Sequence, residues 1–143
     1  MPTTQSDVRR IARSLPGSIE ATNGFAFSVR RGAKERGFVW AWLERIEPKK
    51  ARVPNPSVLA VRVADLVEKD SLLGLDGAKF FTEPHYDGFP AVLVRLGAVE
   101  RGELRRIVTS AWRCVAPRAP VDEWTRRGRR AARKPGTSGR RPR

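Results

Sequence analysis

The sequence is short of the residues that most chemistry requires. It has one cysteine, Cys114, among 143 residues, which excludes an internal disulfide and a cysteine metal cluster. It has one histidine, His85, which leaves little material for metal ligation or acid–base work. No apolar run approaches the ~20 residues that a membrane-spanning helix needs. The opening MPTTQSDVRR lacks the apolar stretch of a secretion signal. These absences predict a cytoplasmic chain with no membrane partner, no cofactor, no metal site and no catalytic residues. There is no internal repeat.

Acidic residues are scarce too. Lys plus Arg is 29 against 15 for Asp plus Glu, a net charge of +14. The excess is local. From Arg126 to Arg143 there are nine basic residues and no acid, which leaves the first 125 residues at +5. Beyond Trp124 there is no large apolar residue. Such a segment cannot bury enough surface to offset its ordering entropy, so residues 125–143 are predicted to be a disordered basic tail after a domain of residues 1–124.

Within the domain the hydrophobic period changes several times. Val8, Ile11, Ala12 and Leu15 recur at helical spacing, Thr4 and Asp7 resemble a capping box, and Pro16-Gly17 ends that helix. Phe25, Phe27 and Val29 alternate as in a half-buried strand. Arg31 to Gly37 reads as a hairpin turn. Phe38 to Leu43 is a second strand, apolar on both faces, as in a central strand or one with a face open to a partner. Pro48, Pro54 and Pro56 mark a polar loop before a third strand over Val58–Val63. A short helix over 64–74, brief strands over Lys79–Thr82 and Ala91–Leu96, and a helix over Arg101–Val115 complete the series. The order is α-β-β-β-α-β-β-α. Hairpin-like connections predict an α+β two-layer sandwich, an antiparallel five-stranded sheet with helices on one side.

Three stretches also resemble the MmcQ/YjbR-like family. They are Phe80-Phe81-Thr82-Glu83-Pro84-His85-Tyr86-Asp87-Gly88-Phe89-Pro90 with the strand after it, the helix end Ser14-Leu15-Pro16-Gly17, and Glu103-Leu104 through Ala111-Trp112-Arg113. The resemblance covers roughly residues 5–118. It implies the CyaY-like layout of that family and, since members are described as double-wing DNA-binding proteins, a DNA partner. It carries no catalytic residues. Arg36-Gly37-Phe38 departs from the Lys that many members place before the second strand's aromatic residue.

Three basic groups are candidates for phosphate contact, because guanidinium forks pair with phosphate oxygens. They are Arg30, Arg31, Lys34 and Arg36 in the hairpin; Lys49, Lys50 and Arg52 in the loop; and Arg126, Arg127, Arg129, Arg130, Arg133 and Lys134 in the tail. The hairpin and the loop form one patch only if they share a side of the sheet. His85 and Tyr86 are candidates for turn formation or for a ligand groove. The alternative function is a protein-interaction or small-ligand module that uses an aromatic sheet face at Trp40 or Trp42, with the tail incidental.

Overall fold

A computed structural model describes residues 3–44 and 48–133. The chain opens with helix α1 (Gln5–Arg13), where the Asp7 carboxylate accepts the Thr4 backbone N–H at 2.9 Å. Six strands follow in two groups: β1 (Ser18–Glu20), β2 (Ala26–Arg31), β3 (Lys34–Glu44) and β4 (Val53–Arg62), then β5 (Phe80–Phe81) and β6 (Ala91–Arg95). Helix α2 (Leu66–Leu75) separates the groups, and α3 (Arg101–Val115) and α4 (Arg118–Arg133) close the chain. The strands form one antiparallel sheet in the order β1-β2-β3-β4-β6-β5.

The predicted α+β class holds, and the predicted elements occur in the predicted order with two additions, a strand β1 that makes the sheet six-stranded rather than five-stranded and a fourth helix α4. The added strand, β1, is three residues long, too short for alternation to show in sequence. It pairs with β2, and its Glu20 carboxylate binds Arg9 and Arg13 of α1. β4 begins five residues before the apolar run that marks it. Pro56 sits where its register with β3 jumps from Asn55 opposite Trp42 to Leu59 opposite Ala41, and Pro54 stands opposite Leu43 just before the jump. An irregular segment tolerates proline because its N–H groups are not needed in the ladder.

Alternation along β4 and β6 sorts the core into two clusters. Leu59, Val61, Val92 and Val94 face the helices, with Phe27, Val29 and Val39 beside them. Against them pack Val8 and Ile11 of α1, and Leu104, Val108, Ala111, Trp112 and Val115 of α3. Leu72 and Leu73 of α2, and Val121 and Trp124 of α4, join the same cluster, so all four helices serve one side. The opposite face carries Val58, Ala60, Ala91 and Leu93, with Trp40, Trp42 and Phe81 half-buried over them. It is covered by a segment of chain, the 3₁₀ turn Pro84–Tyr86, from which Tyr86 packs down.

Of the stretch expected to be disordered from residue 125, the part up to Arg133 belongs to α4. Two anchors explain the ordered helix. The Trp124 ring meets Trp112 edge-on at 6.0 Å, and Val121 packs against the same core. The rest of the tail, residues 134–143 with Lys134, lies outside the described residues.

Trp112 is fully buried, and its indole N–H donates to the Pro16 carbonyl at 2.8 Å. Trp112→Phe is expected to destabilise the chain by ~1 kcal/mol, through the lost hydrogen bond. Trp112→Ala is expected to cost ~3–5 kcal/mol, a large part of a typical domain's stability. Urea denaturation followed by circular dichroism measures both.

Candidate functional site

The basic residues fall on three separate parts of the surface. The β2–β3 hairpin is tight. Arg31 pairs with Lys34, and Gly32, at φ +66°, makes the turn with Ala33. Cross-strand partners share a face. Arg36 lies opposite Val29, and Arg31 opposite Lys34, so these three cations line the helix-bearing side. Arg30 lies opposite Glu35 on the other side and is bonded to it at 3.2 Å. Arg31, Lys34 and Arg36 are exposed and form no ion pair among the described residues.

The loop Lys49–Arg52 does not join this patch. It follows β3, while the hairpin precedes it, and an 11-residue strand separates the two by roughly 30 Å. Lys49 and Lys50 are exposed. Arg52 is folded back: Nη1 donates to the Leu43 carbonyl at 3.0 Å and lies 3.4 Å from Glu83 Oε2.

The third group stands on α4, where Arg126 and Arg127 are exposed and Arg127 pairs with Glu123 at 3.1 Å. Pairs this exposed contribute little to stability and release their arginine readily. Arg129, Arg130 and Arg133 continue the same helix. A relay of contacts through the helix-bearing side links the root of α4 to the strand that carries Arg36. Trp124 touches Trp112, Trp112 binds the Pro16 carbonyl, the neighbouring Gly17 lies against Val29, and Val29 pairs with Arg36.

The face opposite the helices has different chemistry. Trp40 Nε1 donates to Tyr86 Oη at 3.0 Å, and Trp42 Nε1 donates to Glu83 Oε2 at 2.9 Å. Glu83 also caps the 3₁₀ turn, its Oε1 accepting the His85 backbone N–H at 2.8 Å. The buried Lys69 of α2 donates to the carbonyls of Tyr86 and Phe89. Gly88, at φ +74°, ends the turn. The segment from Glu83 to Phe89 is thus fastened by Glu83, Tyr86 and Lys69. Guanidiniums stack over its flanks, Arg95 at 4.0 Å from the Phe81 ring centre and Arg62 at 5.5 Å from that of Phe89.

Two open cavities flank the Trp40–Tyr86 pair. One, of about 470 Å³, is lined by Phe25, Leu43, Arg52 and Pro54 among others; the second, of about 440 Å³, by Asp87, Gly88 and Phe89. Trp40, His85 and Tyr86 line both. The two groove residues singled out in the sequence therefore stand at one site. Its other parts, Phe25, Arg52, Pro54 and the clasp through Glu83, had no signal there, because each comes from a distant stretch of chain. No group of three or more metal-ligating side chains occurs among the described residues. The Cys114 thiol is pushed up by burial, with Glu68 adding to the effect, and it donates to the Ser110 carbonyl. No helix among the described residues is long and apolar enough to cross a membrane.

With these features the protein is an α+β chain with an open antiparallel sheet that is aromatic on the face away from the helices. No family model matches it. It is 34% identical over 119 residues to the uncharacterized protein Mb2600 of Mycobacterium bovis and to the uncharacterized protein Rv2570 of Mycobacterium tuberculosis, covering 82% of this chain and 92% of each relative. The chain belongs to the family of these mycobacterial proteins. Its fold is shared with Deinococcus radiodurans protein DR2400, described as a DUF419 domain, at a TM-score of 0.58 and 20% identity over 78% of this chain and 77% of that one.

Burial pushes the Glu83 carboxyl up, but the Trp42 indole, the His85 N–H and the Arg52 guanidinium together hold it below its ordinary value of 4.5. A carboxyl depressed in the folded state contributes stability above that ordinary value and loses it as pH falls through the folded one. Glu83→Gln is therefore expected to be less stable than the parent at pH 7, with the gap narrowing below about pH 4. Urea midpoints at the two pH values check this.

Proposed function

We propose that this protein binds DNA through the phosphate backbone, using α4 and the helix-bearing side of the β2–β3 hairpin. The observation that carries the reading is α4. It holds six arginines against two acids within 16 residues, and it is fixed to the core by Val121 and Trp124 rather than left as a free arm. An ordered arginine helix loses less entropy on meeting phosphates than a disordered arm, and counterion release then favours association. Arg31, Lys34 and Arg36, exposed on the helix-bearing side of the hairpin, add a second group of cations to the reading. The sequence resemblance to the MmcQ/YjbR-like family, whose members are described as DNA-binding, motivates the same reading.

Contact is independent of base sequence, since phosphate contacts position a protein without reading bases. The reading assigns no reaction and no cofactor, and it places the protein in the cytoplasm, on the nucleoid. The sequence-based interface becomes smaller. Arg52 is engaged with Leu43 and Glu83, and Lys49 and Lys50 stand at the far end of β3, so the loop is not part of the main surface.

A salt series with labelled duplex DNA and the full chain tests the reading. If about six phosphates are contacted, log affinity falls with log salt at a slope near −5. Arg126→Gln, Arg127→Gln, Arg129→Gln and Arg130→Gln combined are expected to flatten that slope by about 3, and Lys49→Glu with Lys50→Glu to leave it nearly unchanged. An unaltered slope in the helix variant overturns the reading.

A further inference from the structure

The aromatic face is not used by the DNA reading, and it has the form of a binding site. The cavity of about 470 Å³ lies within the range of small-molecule sites. Its walls are apolar: Phe25, Leu43, Pro54 and the rings of Trp40 and Tyr86. Among the described residues that line it, Arg52 and His85 are the ionisable ones and none is a carboxylate. Glu83 makes its shorter bonds to the Trp42 indole and the His85 N–H and meets Arg52 at 3.4 Å through Nη1, the atom that also binds the Leu43 carbonyl, so a ligand would be met by Nε and Nη2.

The floor is held in place before any ligand arrives. Trp40 is bonded to Tyr86 and lies against Gly37, where a Cβ would sit 3.6 Å from its ring. The carbonyls of Tyr86 and Phe89 are held by the buried Lys69. Arg52 is likewise fixed by the Leu43 carbonyl and Glu83. Fixed aromatic walls favour flat apolar bodies, because little side-chain freedom remains to be lost on binding. A fixed guanidinium at the rim favours an anion, above all a carboxylate.

We infer that the groove between Trp40, Tyr86, Phe25 and Arg52 is a binding site for a small planar aromatic carboxylate. The ring lies on the Trp40–Tyr86 floor and the carboxylate lies toward Arg52. The site is independent of the DNA surface, which is on the helix-bearing side.

The test uses 2-naphthoate and the ¹⁵N-labelled full chain, without nucleic acid, so its outcome is separate from that of the DNA reading. The Trp40 indole N–H resonance, assigned with Trp40→Phe, is expected to shift on titration while that of Trp112 stays fixed. The cationic analogue 2-naphthylmethylammonium is expected to bind at least about tenfold more weakly. Leu43 lines the groove and is 49% exposed, so replacing it leaves the core intact. Leu43→Lys is expected to tighten naphthoate binding and Leu43→Glu to weaken it, each about threefold. An unmoved Trp40 resonance at millimolar naphthoate overturns the proposal. So does equal binding of the cation, or equal affinity in the two Leu43 variants.

Discussion

The burial of Trp112 joins the parts of this structure that have no sequence proximity. Its indole lies in the core between α3 and the sheet, its N–H holds the carbonyl that follows α1, and its ring receives Trp124 from α4. One side chain therefore touches three helices or their ends, in a core where Val8 and Ile11 of α1 also pack with Leu104 and Val108 of α3. The consequence for function is direct. Without the Trp112–Trp124 contact and Val121, α4 has little apolar surface with which to dock, and a short arginine-rich segment gains too little from helix propensity to persist by itself.

The sheet separates two chemistries that would interfere if mixed. Its helix-bearing side carries exposed cations at the hairpin, and α4 adds the exposed Arg126 and Arg127, while the other side presents tryptophan, tyrosine and phenylalanine with their polar atoms already bonded. The same alternation that builds the core produces this division. Val39 faces the helices and Trp40 faces away, just as Val61 and Ala60 or Val94 and Leu93 do. The segment Glu83–Phe89 is the part that makes the aromatic side a groove. It is held above the sheet by bonds to β3 and α2 and leaves a cavity on each side of Trp40.

Much of the fold was legible in the sequence where the hydrophobic period is long enough to read. The stripe Leu104, Val108, Ala111, Trp112, Val115 and the alternation Phe25, Phe27, Val29 both mark real elements. β1 escaped because three residues carry no period, and the start of β4 because its prolines signal a loop when they mark an irregularity in register. The α4 helix escaped because its order rests on a tertiary contact, Trp124 on Trp112, that a local reading of an arginine-rich stretch does not contain. The separate basic groups were visible as charge, but their placement was not, since it depends on β3 running its full length between them. His85 and Tyr86 were legible as a pair. Arg52 read as a free cation because its partner, Glu83, lies 31 residues away.

The division of the molecule into a basic side and an aromatic side is tested most directly by an amide and indole chemical-shift map of the ¹⁵N-labelled full chain during titration with duplex DNA. The account predicts shifts concentrated in residues 30–36 and 118–133, with the Trp40 and Trp42 indole resonances unmoved. Shifts centred on Trp40, Tyr86 and the 84–89 turn, with the hairpin and α4 silent, would contradict it.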